Sequence, residues 1–447
     1  MQTRNTVGYF RLLRQNPSFR NLWYGQVVSE LGDWLNSIAI YALILKLSDS
    51  GMAMAGAMMA KLLPIVLVSP IAGVVVDRVS RKTVMIVSDL LRCVVVLGFL
   101  LVEDRDVLWL VYALVIVEIS LSGFFEPARS AIIPSLVPKE DLVTANALSG
   151  STWSVMLAFG AALGGVIVYL FGIKVAFILD AGTFILSAWF LSKIPSQKKS
   201  TKKDLSKQTG YQELVDAMRY LRAEPMVLVL SLLKAGLAVA GGIMTLIPLM
   251  ASQLLSGSLS LGIGILYSAR GLGAALGPLL VKRLFGETAS VLQWAIAGAF
   301  FLKAFSYLFI ATTHNIWTLS LGVGLATLFG SIIWVFSSAL IHLSAPDHYL
   351  GRVFSFELAL LTLVMGCSNW GVGYAVDGWD MNINQIALWM AGGVAIPGIL
   401  WSGFLIFLQN RLKQGECKGS VSPVDPSGFN PSPRAGDRRT DIQSEAK

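Results

Sequence analysis

Twelve apolar stretches, 21–46, 52–76, 83–102, 107–133, 142–170, 173–194, 225–251, 259–281, 289–311, 315–343, 350–376 and 385–409, are separated mostly by short polar turns. A helix needs ~20 apolar residues to cross a hydrocarbon core of ~30 Å, and every stretch reaches that length. Several exceed it, which implies tilt or a helical end lying in the interface. The pattern predicts an all-α polytopic membrane protein of twelve transmembrane helices. Twenty largely polar and basic residues precede the first stretch, and no small-residue cleavage site follows it, so it reads as a retained helix rather than a signal peptide.

Composition agrees. Charged residues make up 14% of the 447 and hydrophobic ones 55%, against ~25% charged in soluble domains. A soluble multidomain enzyme and a disordered, collagenous or disulfide-stapled chain are therefore excluded as the main reading. The net charge of +8 does not point to nucleic acid, because basic residues on a membrane protein mark its cytoplasmic loops. Cys93, Cys367 and Cys417 show no paired spacing for a disulfide or metal framework.

The polar punctuation divides the chain into a cytoplasmic N-terminal segment (1–20), a six-helix half (21–194), a central loop (195–224), a second six-helix half (225–410) and a polar tail (411–447). The central loop carries Lys198, Lys199, Lys202 and Lys203 and then an amphipathic piece from Tyr211 to Arg222. The tail is too rich in Pro, Ser, Gly and charge to order itself. With twelve spans both termini share a side. Segments on that side hold Arg4, Arg11, Arg14, Arg20, Arg78, Arg81, Lys82, Arg129 and Lys139 among others, whereas the opposite loops hold Lys46, Arg105 and Lys174. This asymmetry predicts a multi-pass protein of the inner (plasma) membrane with both termini cytoplasmic. The halves align weakly at an offset of 208: Pro70 falls on Pro278, and Ser130, Ala131, Pro138 and Leu142 fall on Ser338, Ala339, Pro346 and Leu350. Two six-helix pseudo-repeats are a transporter architecture, with substrate handled near the midplane between them.

Charges inside the spans are the candidate chemistry. Gln26, Glu30, Asp33, Ser37 and Tyr41 recur at intervals of three and four and share one helix face. Burial and mutual repulsion both oppose the charged state of Glu30 and Asp33, which suits a reversible proton site. The plainer reading is that both are paired with buried cations and hold helices together. The fourth span repeats the device with Glu118, Ser122, Glu126 and Arg129. Glu118 has no sequence-local partner and joins Asp33 and Glu30 as a proton-coupling candidate. Glu126 and Arg129, at i and i+3 about Pro127, are read first as a structural ion pair. In the second half Ala238 and Gly241 replace Glu30 and Asp33, while Lys234, Arg270 and Lys303 supply cations. An acidic face opposing a basic one follows, with Lys234 neutralising Asp33 or Glu118, or else holding an anionic group of the substrate. The expected cavity comprises Gln26, Ser37, Tyr41, Ser122, Lys234, Arg270 and Trp334. Tryptophans more often belong to interfaces or packing.

The loop Gly73-Val-Val-Val-Asp77-Arg78-Val-Ser80-Arg81-Lys82 resembles the signature G-x-L-a-D-R-x-G-R-K of the major facilitator superfamily, departing from it at Val75 and Ser80. Asn16-Pro-Ser-Phe19-Arg20-Asn-Leu-Trp23, Ser29-Glu-Leu-Gly32-Asp33, Phe124-Phe-Glu-Pro127-Ala128-Arg129, Asp180-Ala-Gly-Thr183-Phe184 and Tyr267-Ser-Ala-Arg270-Gly271 look like an exporter branch that includes enterobactin exporters, macrolide efflux proteins and a lysophospholipid transporter. Gly160-Ala161-Ala-Leu-Gly164-Gly165 is similar to the antiporter element G-P-x-x-G-G, with Ala161 in place of its proline. The resemblance implies the major facilitator fold. It also implies a cytoplasmic gate at Gly73, Asp77, Arg78, Arg81, Lys82, Glu126 and Arg129, in which Asp77 meets the start of the eleventh span near Gly351 when the cavity faces outward.

No G-x-x-x-x-G-K-[ST], H-E-x-x-H or G-x-S-x-G run is present, so an enzyme is not expected, nor is a cofactor or metal. The expectation is a monomeric secondary transporter in membrane lipid that exports an amphipathic small molecule, such as a drug, macrolide-like compound or siderophore, in exchange for protons. A lysophospholipid flippase or scramblase, or a non-transporting membrane sensor, is the alternative.

Overall fold

The computed structural model describes residues 8–195, 218–286 and 288–413. The lysine run of the central loop, most of the amphipathic piece after it, and the tail from 414 lie outside the described residues. Twelve helices are long and apolar enough to cross a membrane. They are α1 (Pro17–Leu47), α2 (Gly51–Arg78), α3 (Arg81–Leu101), α4 (Arg105–Leu136), α5 (Lys139–Phe171), α6 (Ile173–Ser192), α7 (Pro225–Leu254), α8 (Leu259–Leu284), α9 (Ala289–Ala311), α10 (Ile316–Ser344), α11 (Tyr349–Asp377) and α12 (Ile383–Arg411). No strand occurs among the described residues.

Local chemistry sets the helix starts. Pro17 occupies the first turn of α1, and the Asn16 side chain accepts from the Phe19 amide at 3.0 Å, satisfying a donor the helix cannot use. Ser50, Thr288 and Asn315 cap α2, α9 and α10 in the same way. The helix α7 is interrupted. Turns over 239–242 separate a helix Pro225–Ala238 from a helix Ile243–Leu254. The backbone groups freed there find partners: Ser368 donates to the Val239 carbonyl at 2.6 Å and accepts from the Gly242 amide at 2.9 Å, while Tyr307 donates to the Ala240 carbonyl at 3.3 Å. A break inside hydrocarbon is tolerated only with such replacements.

Helix α1 packs on α4, α5 and α6, α3 on α4 and α6, and α2 on α4. Helix α7 packs on α10, α11 and α12, with α8 on α10 and α9 on α10 and α12. The two groups meet through α5 against α8 and α2 against α11, with α7 also touching α1 and α2. We call the end that carries the N-terminus the near end. The contacts between the groups run from the middle to the far end. On α5 and α8 they begin at Ala158 and Gly271, where Ser268 donates to the Ala158 carbonyl at 2.8 Å. They end at Gly165 and Gly264, where a Cβ on Gly165 would stand 2.7 Å from the Ser260 carbonyl oxygen, so no other residue fits without moving backbone. On α2 and α11 they run from Met59 and Gly366 to Gly51 and Val376. Toward the near end Gly73, Gly150 and Gly351 have no atoms beside the space a Cβ would fill. The described contacts between the groups thus lie from the middle to the far end, and the space between the groups toward the near end is the cleft.

One carboxylate fastens the far end. Asp377, the last residue of α11, accepts from the Gly51 and Met52 amides at 2.8 Å each and from the Ser50 hydroxyl at 2.5 Å. An acid at a helix start meets both orphan donors and the positive end of the dipole. Asp377→Ala is expected to destabilise the protein by about 0.5–2 kcal/mol, the usual cost of a lost N-cap, read as a lower melting temperature in detergent. Asp377→Asn, which keeps an acceptor oxygen, should lose less. Equal melting of Ala variant and parent would remove Asp377 from the closure.

Candidate functional site

Arg92 organises the first group. It sits on α3, buried, with its guanidinium 4.2 Å above the ring of Phe184 on α6. It pairs with Asp33 of α1 and lies 3.8 Å from Oε1 of Glu118 on α4. Glu118 takes both its oxygens to Asn36 of α1, whose Nδ2 donates at 2.8 and 2.9 Å. The two acids differ in access: the Asp33 side chain is 36% exposed and that of Glu118 6%. Asp33 therefore opens on the cleft, whereas Glu118 lies behind it.

Two more carboxyls are fully buried beside this pair. Asp89 accepts from Ser187 at 2.6 Å, and Asp180 from Thr183 at 3.1 Å. One oxygen of each lacks a hydrogen-bond partner among the described residues, as do Oε2 of Glu30 and Nε of Arg92. Glu30 accepts from Gln26 at 2.8 Å, and Gln26 also donates to the Ser149 carbonyl at 3.0 Å. Asp33, Glu118, Asp89, Asp180 and Glu30 share the interior of this group with three cations among the described residues, Arg92, Lys61 and the half-buried Arg129. Carboxyls that outnumber cations in hydrocarbon cannot all be ionised at tolerable cost.

Lys234 finds its counter-charge within the second group, which corrects the expected pairing across the halves. Lys234 does not meet Asp33 or Glu118. It donates to Glu357 of α11 at 2.9 Å and to Ser338 of α10 at 2.7 Å, with the Trp334 ring 4.7 Å away. Both partners in this ion pair are buried. The physical reason is proximity: α7 packs on α10 and α11 within one group, so an acid on α11 answers Lys234 before any acid of the first group can. Arg92, not Lys234, answers Asp33.

At the middle of the cleft Lys61 of α2 donates to Ser37 at 2.7 Å and to the Tyr41 hydroxyl at 3.2 Å. Tyr41 stacks on Tyr267 of α8, ring centres 5.7 Å apart, and Arg270 lies 5.7 Å from the Tyr267 ring. Thus Gln26, Glu30, Asp33, Ser37 and Tyr41 line one face of α1, as their spacing predicts. Ser122 is half-buried on α4, and Trp334 is exposed beside Lys234.

The near-end residues are not assembled. Gly73, Asp77 and Arg78 are exposed, and Asp77 makes no hydrogen bond or ion pair to a described residue. Gly351 is likewise exposed, so the contact expected in an outward-facing form is absent from one whose near end is parted. Arg81 is half-buried without a described partner. Lys82 is committed elsewhere, donating at 2.6 Å to the carbonyls of Ser192 and Ile194 at the end of α6. Glu126 and Arg129 pair with each other at 2.6 Å.

Twelve spanning helices in two packed groups, with ionised groups buried at mid-depth beside a cleft, define a membrane transporter of the major facilitator type. Residues 9–424 match the profile of the family described as transmembrane secretion effector, and the chain belongs to that family of the major facilitator superfamily. It is 28% identical to the uncharacterized MFS-type transporter YfiS of Bacillus subtilis (strain 168), over 80% of this chain and 88% of that one. It is 24% identical to the putative bacilysin exporter BacE of Bacillus subtilis, over 89% and 94%, and 24% to macrolide efflux protein A of Streptococcus pyogenes, over 78% and 86%. Among solved structures, a POT family transporter in complex with 5-aminolevulinic acid aligns with a TM-score of 0.69 at 12% identity, over 88% of this chain and 96% of that one. The nucleoside transporter NupG aligns at 0.64 and 12%, over 87% and 99%. The chain is thus a multi-pass membrane transporter and not an enzyme.

Removing Arg92 leaves Asp33 and Glu118 without their cation, a loss expected to cost about 3–5 kcal/mol. Arg92→Met should therefore melt well below the parent in detergent, and Asp33→Asn added to it should recover part of the loss. Strictly additive losses in the double variant would show that the two side chains are not coupled.

Proposed function

We propose that this protein is a proton-coupled exporter of an amphipathic small molecule, working by alternating access in the inner membrane with both termini cytoplasmic. The observation that carries the reading is Asp33, a partly exposed acid at the cleft held by a buried arginine that has a second acid, Glu118, 3.8 Å away. Protonation of Asp33 from the cleft releases Arg92 to Glu118 without leaving the guanidinium unpaired. Loss of the proton restores the first pair. A carboxylate that exchanges a proton while its partner stays neutralised moves charge cheaply in a low-dielectric interior. In this reading Glu30, one turn nearer the N-terminal end on the same face, acts as an intermediate proton carrier.

The exporter direction is supported by family membership and by relatives named for export of bacilysin and efflux of macrolides. The orientation rests on the lysine and arginine asymmetry of the loops. In that orientation the cleft opens to the cytoplasm, the side from which an exporter loads. Asp33→Asn should express and melt close to the parent, yet abolish pH-driven substrate accumulation in inverted vesicles. Proton-coupled flux at the parental rate in that variant would remove Asp33 from the coupling.

Asp77 and its neighbours supply the opposite gate. When the near end closes, Asp77 meets the start of α11 near Gly351, a contact of ~0.3–2 kcal/mol made in one state only and therefore able to bias the two. Asp77→Asn is expected to lower crosslinking between cysteines placed across the near end and to slow turnover, with substrate affinity little changed. Parental crosslinking and turnover would make Asp77 a solvated loop residue.

A further inference from the structure

Among the buried cations of the spans, Arg92 and Lys234 have carboxylates in contact. Lys303 is buried in the second group and donates to the Ala326 carbonyl at 2.8 Å. Lys61 and Arg270 differ from all three. Both are half-buried at the middle of the cleft, one from each group. Lys61 reaches only neutral oxygens, those of Ser37 and Tyr41. It lies in the field of Glu118 and Asp33 but touches neither, and both are engaged by Arg92. Arg270 has no hydrogen bond or ion pair to any described residue. Its nearest described partner is the face of Tyr267.

A guanidinium presents five donors and has no acceptor of its own. Held at mid-depth with none of them matched by a described residue, it is costly unless water or a ligand supplies the acceptor. The ring pair Tyr41–Tyr267 lies between the two cations, and Trp34 packs on Tyr267 with ring centres 5.6 Å apart. The site therefore combines two positive arms with an aromatic floor, and one arm comes from each half of the molecule.

We propose that Lys61 and Arg270 form an oxyanion site at the middle of the cleft, and that the transported molecule carries a carboxylate or phosphate there on an apolar or aromatic body. This deepens the transport reading and rests on it. Arg270 suits the role because its fork matches the two oxygens of a carboxylate or phosphate. Lys61 adds a point charge from the other half, so a bound anion draws the two halves together on loading.

The test needs neither an ion gradient nor net transport, so it can fail while the coupling reading stands, and the reverse. Ala274 lies one turn beyond Arg270 on the same helix face. Ala274→Cys, in a protein whose native cysteines are replaced, is labelled in nanodiscs with an anionic and a cationic methanethiosulfonate. The anionic reagent is expected to react about tenfold faster, through the local positive potential. Lys61→Gln and Arg270→Gln should each reduce that preference, and together abolish it, while Lys61→Arg and Arg270→Lys keep it. Melting temperatures show whether each variant is folded. Protection from labelling then separates the two sources of oxyanion. Dansyl-phenylalanine tests the carboxylate and lysophosphatidylglycerol the phosphate, with dansyl-phenylalaninamide as the neutral match. Protection by either anion but not by the amide supports the site and names its class. Faster labelling by the cation, a preference untouched by both Gln variants, no labelling at all, protection by neither anion, or equal protection by the amide overturns it.

Discussion

A charge inside hydrocarbon must be answered nearby, and the arrangement of this transporter follows from where each answer comes from. Arg92 is answered by Asp33 and Glu118, on two other helices of its own group. Lys234 is answered by Glu357, again within its group. Neither pair crosses the interface between the groups, so the groups can move against each other without stranding a buried ion. Under the proposed function, a Lys234–Asp33 pair would have to be broken in each cycle, at a cost of several kcal/mol.

What does cross the interface is made for reversible contact. Gly165 and Gly264 bring α5 and α8 together backbone to backbone, and Asp377 caps α2 from the end of α11. These contacts use van der Waals fit and exposed hydrogen bonds, which water can replace when they open. Under the proposed function the corresponding near-end contact uses the same physics, an acid at a helix start, with Asp77 and α11 in place of Asp377 and α2. The closed ends would then be held by terms of similar size, as alternation requires.

Much of the architecture was legible in the sequence because hydrocarbon imposes simple rules. Span length, and the shared face of Gln26, Glu30, Asp33, Ser37 and Tyr41, follow from periodicity alone. The pairing of charges did not. Arg92 and Lys61 lie within apolar spans, yet nothing in linear spacing says which helix faces them. Asp180 entered only within a segment resembling the exporter branch, and Asp89 and Glu357 passed unremarked because neither belongs to a polar stripe, although Asp89 stands three residues before Arg92. Counting every acid inside a span, whether or not it forms a stripe, was the signal that would have found them. The far-end cap by Asp377 was hidden for another reason: it joins positions more than three hundred residues apart.

The first group holds more carboxyls than cations, which under the proposed function leaves it with exchangeable protons. Infrared spectroscopy of the reconstituted protein reads this directly, in the carbonyl stretch of un-ionised carboxyl groups, separated from lipid esters by its shift in heavy water. The account predicts such a band at neutral pH, weaker when Asp89 and Asp180 are both changed to Asn and lost at alkaline pH. A parent spectrum with no un-ionised carboxyl at neutral pH would contradict it.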